Sequence, residues 1–391
     1  MLHSSLSIRA RDAFLIAAVF LIAFVVVFAV LVKLKPASSK GQEIPRPSPM
    51  GRITQPAIIP TILSGMVPTP SREPLAVSTA TSTIPSEPSS SGIRLLVVGD
   101  IMLDRNVATR MKTARTLAYP FAKLPADWIA SFDYSIANLE GPVTPVRRAP
   151  VKSIDFQFDP AVAPMLKAQG FDAFSLANNH GLDQGEQGYQ DSTRILREAG
   201  IVSFGHQVRD GEIALATTTV KGTRIAFLGW NTTDNPMDRD EAARAITMAK
   251  SQADVVIAYL HWGAEYQDHP LSSVQEVAHW LIDEGVDVVL GGHPHWVQGI
   301  YSYKGHPILY SLGNFVFDQD WSLPTRQGLA VGLTINDRGF RIEPYPVNID
   351  LSQPRLTQDK ERAQRLEALA AISDPALRAA IRLGTVDFVL R

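Results

Sequence analysis

The chain contains no cysteine, so neither disulfide staples nor thiolate chemistry can contribute to its fold or its sites. That absence suits an oxidising exterior without requiring one. It also has no excess of basic charge: 37 Lys and Arg stand against 39 Asp and Glu, a formal net charge of −2. Without a basic face, no nucleic-acid partner is expected. No glycine-rich loop ends in Lys followed by Ser or Thr, so no P-loop nucleotide site is expected. No internal repeat is present.

What is there divides into zones. After a short flank (1–12), residues Ala13 to Val32 form an unbroken apolar run. About 20 residues at ~1.5 Å each match a hydrocarbon core of roughly 30 Å, which predicts one transmembrane helix over 13–32. The alternative is a cleaved secretory signal, for which Ala37 and Ser39 offer a faint processing pattern; signal cores usually run only ~7–15 residues. Charge does not orient the span, because Arg9 and Arg11 precede it while Lys33, Lys35 and Lys40 follow. Residues 33–92 are rich in Pro, Ser and Thr and lack helical or strand periodicity, so they read as a disordered, semi-stiff linker. A spacer placed there suits a single-pass membrane protein with its folded domain outside the cytoplasm.

From Ile93 the pattern changes to short aliphatic runs alternating with amphipathic stretches. Strands are predicted at 93–98, 134–137, 173–176, 224–228, 255–260, 286–290, 308–310 and 329–335, and helices at 161–169, 187–199, 241–252 and 271–283. This is a layered α/β domain over 93–350, with a second sheet packed on the first. Residues 351–391 read as helical pieces interrupted by Pro375, with no chemistry assigned.

The informative feature is what stands at the strand ends. Val97 and Val98 run into Asp100, Ile136 and Ala137 into Asn138 and Glu140, and Ser175 and Leu176 into Asn178, Asn179 and His180. His261 ends a fourth run, and His293 and His295 follow a fifth through Gly291 and Gly292. Carboxyl ends of strands are where an α/β sheet gathers its functional groups. Oxygen and imidazole donors held there suit a divalent ion such as Mn, Mg, Zn or Fe. The candidate ligands are Asp100, Glu140, Asn179, His261, His293 and His295, with His180 as a general acid. Arg105 could clamp an anionic substrate or merely form a surface salt bridge. Trp262, Tyr266, Trp296 and Phe315 border the ligands as walls or as packing.

Six blocks, GDIMLDR (99–105), NLEG (138–141), NNH (178–180), HWGAEY (261–266), GHPHWVQ (292–298) and SLGNFVFDQ (311–319), resemble the CapA family. That family comprises membrane-anchored proteins of poly-gamma-glutamate capsule synthesis, whose domain is similar to calcineurin-like metallophosphoesterases. The resemblance implies a metallophosphatase-like sheet sandwich flanked by helices. It implies Asp100 as a metal ligand, Glu140 as the bridging carboxylate, Asn179 as the amide ligand, and His261, His293 and His295 as imidazole ligands. His180 matches the proton donor. Two departures stand out: Met102 occupies a position where phosphoesterases carry His, and Glu140 replaces a bridging Asp. The two metal positions are therefore expected to be unequal. Glu140, Asn179, His261 and His293 would complete one, while Asp100, Glu140 and His295 leave the other a ligand short.

Three functions follow as expectations. The first is a component of poly-gamma-glutamate synthesis or export, tethered to the membrane and in contact with other synthase subunits and the anionic polymer. The second is an extracytoplasmic metal-dependent hydrolase of a phosphoester or wall polymer, in which water attacks while His180 protonates the leaving group. The third is a non-catalytic metal-binding scaffold, which Met102 keeps open.

Overall fold

In the computed structural model the described residues are 92–389. The expected membrane helix at 13–32 and the linker before residue 92 lie outside them. Among the described residues no helix is long and apolar enough to cross a membrane.

The chain first lays down β1 (Ile93–Ile101), β2 (Tyr134–Leu139), β3 (Ala173–Ser175) and β4 (Val202–Phe204), side by side and parallel. It then builds a second sheet from β5 (Leu215–Val220), β6 (Thr223–Asn231), β7 (Val255–His261), β8 (Val288–Gly292), β9 (Ile300–Tyr303) and β10 (His306–Leu309). The order is β5-β6-β7-β8-β10-β9, with β6, β7, β8 and β10 parallel. Finally β11 (Asn314–Val316), β12 (Gln327–Asn336), β13 (Gly339–Asp350), β14 (Gln353–Leu356) and β15 (Val386–Val389) return to the first sheet. There β12 lies antiparallel to β1, and β11 pairs with the end of β1.

Strand β1 shows why these runs form sheets. Its side chains alternate between two buried environments, as a strand covered on both faces requires. Leu95 and Val97 share a core with Ile225, Phe227, Ile257 and Val288 of the second sheet. Leu96 and Val98 face the other way, in a core with Val107, Leu166 and Leu196 from helices Arg105–Ala114, Val162–Ala168 and Gly185–Glu198. On the far side, Ala226, Leu228 and Val256 pack on Ile246, Ala249, Ala278 and Leu281 of helices Arg239–Gln252 and Ser272–Glu284. The result is helix, sheet, sheet, helix. Asp238 caps helix Arg239–Gln252 of the outer layer by accepting from the backbone N–H groups of Asp240 and Glu241.

All eight expected strands form, and among the described residues seven more join them. The longest unforeseen one is β13, which carries Pro344 and Pro346 and so reads against a strand. One edge of β13 pairs with β12 throughout, but on the other edge β15 covers residues 339–342 and β14 covers 347–350. The prolines fall in the gap between those two partners, where a missing N–H breaks no ladder. Residues beyond 350 were expected to be helical. Helices Asp359–Ala371 and Arg378–Leu383 do flank Pro375, but β14 and β15 also weave the segment into the first sheet.

Candidate metal centre

The two sheets bring their carboxyl ends together closely enough that glycine is needed at the seam. Between the sheets a Cβ on Gly292 would lie 2.5 Å from Asp100 Oδ1, and within the first sheet one on Gly99 would lie 1.9 Å from the carbonyl oxygen of Gly313, the residue before β11. The close approach lets the His293 N–H of the second sheet donate to Asp100 Oδ2 of the first at 3.2 Å. His293 and His295 themselves have φ of 92° and 57°. Left-handed backbone at two non-glycine residues costs about 1–3 kcal/mol each and is typical of functional turns.

Asp100, Glu140 and His295 are buried, and their ligand atoms all lie within 4.8 Å of one another. His295 Nε2 is 3.9 Å from Glu140 Oε1. A second group adjoins the first. Asn179 Oδ1 lies 2.9 Å from His261 Nε2, and the His261 ring centroid is 4.8 Å from that of His293. His293 is in turn 6.1 Å from His295 by centroids. All six ligand positions assigned from sequence thus come from one neighbourhood at the strand ends.

Side chains outside those six hold this cluster in place; of them, the sequence marks Asn314, with Asp318, only as a residue that could line the pocket or merely end a strand. Asn138, fully buried on β2, donates from Nδ2 to Asp100 Oδ1 at 2.8 Å and lies 3.4 Å from His261 Nδ1. Its Oδ1 accepts from Asn178 Nδ2 at 2.9 Å. Asn314 Oδ1 lies 2.9 Å from His295 Nδ1, with Asp100 Oδ2 at 3.6 Å from the same nitrogen, which leaves Nε2 toward Glu140 and Glu265. Asp183 Oδ2 lies 2.6 Å from His180 Nδ1 and accepts from the Phe156 N–H at 2.7 Å. Lys152 Nζ reaches both Asp183 Oδ1 and the Asn179 carbonyl at 2.6 Å. The one available sequence signal was a polar residue inside a buried strand, such as Asn138 in NLEG.

Burial pushes the Glu140 carboxyl up, and the neighbouring Asp100 charge pushes it further. Burial works to lower His295, but Glu140, Asp100 and Glu265 outweigh it and hold the ring's affinity for a proton above the ordinary range. Burial and then His295 bring His293 down to about 3, and burial and then His293 hold His261 well below its usual value. The carboxylates therefore call for compensating positive charge, while His261 and His293 stay in the neutral form that ligates metals.

Residues 94–319 match the family model described as bacterial capsule synthesis protein PGA_cap. The chain belongs to this family. It is 33% identical over 277 residues to the PGA biosynthesis protein CapA of Bacillus subtilis, covering 66% of this chain and 72% of that one. It is 31% identical over 300 residues to the capsule biosynthesis protein CapA of Bacillus anthracis, covering 70% and 72% respectively. A putative 5'-nucleotidase from Staphylococcus aureus aligns over 74% of this chain and 58% of its own, at 12% identity and a TM-score of 0.41, a likeness too distant to bear on the site.

The residues of this PGA_cap domain fit a divalent ion. Glu140 Oε2 and His293 Nδ1 are buried without a hydrogen-bond partner, as groups awaiting a cation would be. Met102 does not stand in for an imidazole: it is buried, and its sulfur accepts from the Asp104 N–H at 3.0 Å. Arg105 is engaged by the nearly buried Asp318 through both guanidinium and carboxylate arms, and lies over the rings of Phe156 and Phe317 at 5.2 and 5.8 Å. Among the aromatics, Trp262 and Phe315 are core residues, Trp262 donating to the Tyr310 carbonyl at 2.7 Å. Tyr266 stacks toward His295 at 6.0 Å and meets the exposed Trp321 edge-on at 5.0 Å, which runs an aromatic path from the cluster to the surface.

Proposed function

We propose that this PGA_cap protein is a membrane-anchored component of poly-gamma-glutamate synthesis or export, whose extracytoplasmic domain handles the anionic polymer at a divalent-metal centre. Family membership supports the capsule role, and the apolar run at 13–32 supports the anchor. The single observation carrying the metal centre is the convergence of buried Asp100, Glu140 and His295 from separate strand ends. Other polymer synthase subunits are the expected partners, because the chain lacks a phosphate-gripping loop with which to drive polymerisation.

A divalent ion bound there would supply Lewis acidity and water activation. Glu140, Asn179, His261 and His293 would hold one position, and Asp100, Glu140 and His295 the other. Asn314 orients His295 through Nδ1, while Asn138 orients Asp100 and His261. The test is complementation of a capsule-forming strain deleted for its own CapA. Full-length wild type is expected to restore surface polyglutamate, and His295→Ala to fail at equal expression. Restoration by both would overturn the metal centre; restoration by neither would overturn the capsule role.

The His180–Asp183 pair favours a second reading, hydrolysis. Asp183 takes the Nδ1 side of His180, leaving Nε2 to pass a proton to a leaving oxygen; the ring must first be protonated for this, which burial opposes and Asp183 favours, the net direction being down, so Nε2 would take that proton from the attacking water. Full-length protein in detergent would be assayed on aryl phosphates and polyglutamate with Mn, Mg and Zn. Turnover abolished by His261→Ala supports this reading; no turnover under any condition favours the scaffold instead.

A further inference from the structure

We propose that Glu265 is a metal ligand, completing the position formed by Asp100, Glu140 and His295; the assignment rests on reading that cluster as a divalent-metal centre. Glu265 belongs to the loop after β7 and lies outside the six positions assigned from sequence. Its Oε1 stands 3.9 Å from His295 Nε2. Glu140 Oε1 stands at the same 3.9 Å from the same nitrogen. Neither pair is close enough for a hydrogen bond, yet both are near the spacing of donors that share an ion, since bonds of about 2.0–2.2 Å separate neighbouring ligands by roughly 3–4 Å. With Asn314 on Nδ1, Nε2 is the nitrogen free to ligate, and two carboxylates approach it.

The loop is built to keep Glu265 there. The Tyr266 N–H donates to the Pro294 carbonyl at 2.9 Å, which ties the residue after Glu265 to the turn between His293 and His295. Tyr266 adopts φ of 61°, a left-handed conformation that a bulky side chain takes only when its surroundings impose it. Its ring stacks toward His295. Among the described residues the carboxylates and imidazole whose ligand atoms lie within 4.8 Å of one another are those of Asp100, Glu140 and His295, so the exposed Glu265 carboxylate, held by the second sheet 3.9 Å from His295 Nε2, would swing inward to join them. It supplies the donor missing where Met102 turns its sulfur to the backbone.

The completed set is three carboxylates and one imidazole, harder than the group of Glu140, Asn179, His261 and His293. Oxygen-rich sites favour Mn2+ and Mg2+ over softer ions. Glu265 is also the exposed member of its set, with 43% of its side chain accessible against 4% or less for His295, Asp100 and Glu140. Its replacement should therefore leave the fold intact.

The experiment is Mn2+ titration of the full-length protein in detergent, by calorimetry and by Mn2+ electron paramagnetic resonance. Glu265→Gln is expected to weaken one Mn2+ binding step about 100-fold or more, with Glu265→Asp intermediate. Glu276→Gln, on an exposed face of helix Ser272–Glu284, should bind like wild type. Thermal unfolding in chelator should be unchanged by Glu265→Gln. A wild-type protein that binds Mn2+ with a Glu265→Gln isotherm superimposed on it would overturn the assignment alone. A wild-type protein that binds no Mn2+ would overturn the metal centre and this ligand with it.

Discussion

Asn314 Oδ1 and His295 Nδ1 lie 2.9 Å apart, joining the start of β11 to the turn after β8. The contact fixes which imidazole nitrogen faces Glu140. It also ties the ligand to the segment after β11, because Asn314 Nδ2 donates to Gln319 Oε1 at 3.0 Å and to the Thr325 carbonyl at 2.9 Å. Asn314 therefore positions His295 within the candidate metal centre.

Replacing it separates those two duties. Asn314→Ala removes the oxygen that orients His295 and is expected to weaken Mn2+ binding about 10- to 100-fold, the usual effect of losing an outer hydrogen-bond partner. Asn314→Asp keeps an oxygen for Nδ1–H while losing both donations to residues 319 and 325. It should bind Mn2+ within a few-fold of wild type. Equal loss in both variants, read by calorimetric titration, would assign the effect to the 319–325 segment.

Asn138 occupies the centre of the buried polar network, between Asp100, His261 and Asn178. Asn138→Leu has similar volume but leaves Asp100 Oδ1 without its donor. Unpartnered buried groups cost about 1–3 kcal/mol, so the thermal midpoint in chelator should fall by several degrees. Asn138→Asp places a further carboxylate beside Asp100 and should be more destabilised still in chelator, with part of the loss recovered on adding Mn2+. A midpoint unchanged in either variant would show that Asn138 carries no stability.

Much of this was legible before the structure, for identifiable reasons. Strands such as β1 and β7 are buried on both faces, so they appear as unbroken aliphatic runs, and their last residues point at the site by topology alone. Strand β13 was hidden because the tolerance of Pro344 and Pro346 depends on which neighbours cover which residues. The three-residue β11 is too short for any period to register. Helix Arg105–Ala114 buries only Val107 and Met111, too narrow an apolar stripe to be read. The ligand types and their strand-end spacing were visible; the roles of Asn138, Asp183 and Asn314 were not. A carboxamide or carboxylate that orients an imidazole is defined by a direction in space, and sequence spacing carries no such direction.

Acid sensitivity should trace in part to His206, which is buried beside β4. Its Nδ1 accepts from the Val208 N–H at 3.1 Å, while its Nε2 lies 3.3 Å from Glu186 Oε2 without good hydrogen-bond alignment. Glu186 is shared with Arg209 at 3.3 Å, and the Tyr189 ring lies edge-on at 4.4 Å. Burial lowers the pKa of the ring, Glu186 opposes this and Arg209 assists; the net direction is down. The unfolded imidazole, near 6.5, then takes its proton before the folded one, so stability present above that value is lost as pH falls through and below it. The slope from one such group is at most about 1.4 kcal/mol per pH unit. His180, His261 and His293 add slopes of the same sign, so the difference between wild type and His206→Gln isolates this ring. Urea unfolding between pH 7 and 5 should show a shallower loss in the variant, and identical slopes would place the His206 proton in the folded state already.

Gly99 and Gly292 test whether close packing on either side of Asp100, within the first sheet and between the sheets, sets the geometry of the candidate metal centre. An alanine methyl at Gly99 meets backbone, the Gly313 carbonyl at 1.9 Å, where Asp100 N–H also donates to the same oxygen at 3.0 Å. Backbone on both sides cannot yield without separating β1 from β11, so Asp100 should move away from His295. Gly99→Ala is expected to lose about 1–3 kcal/mol of stability, the range for overpacking, together with Mn2+ binding. At Gly292 the nearest obstacle is the Asp100 carboxylate itself, at 2.5 Å. That group can rotate at the expense of its bonds to Asn138 and His293, so Gly292→Ala should abolish Mn2+ binding with a smaller fall in thermal midpoint. Both variants would be read by titration and by unfolding in chelator. Retention of wild-type Mn2+ affinity in Gly292→Ala would mean that Asp100 does not ligate from the position it holds here.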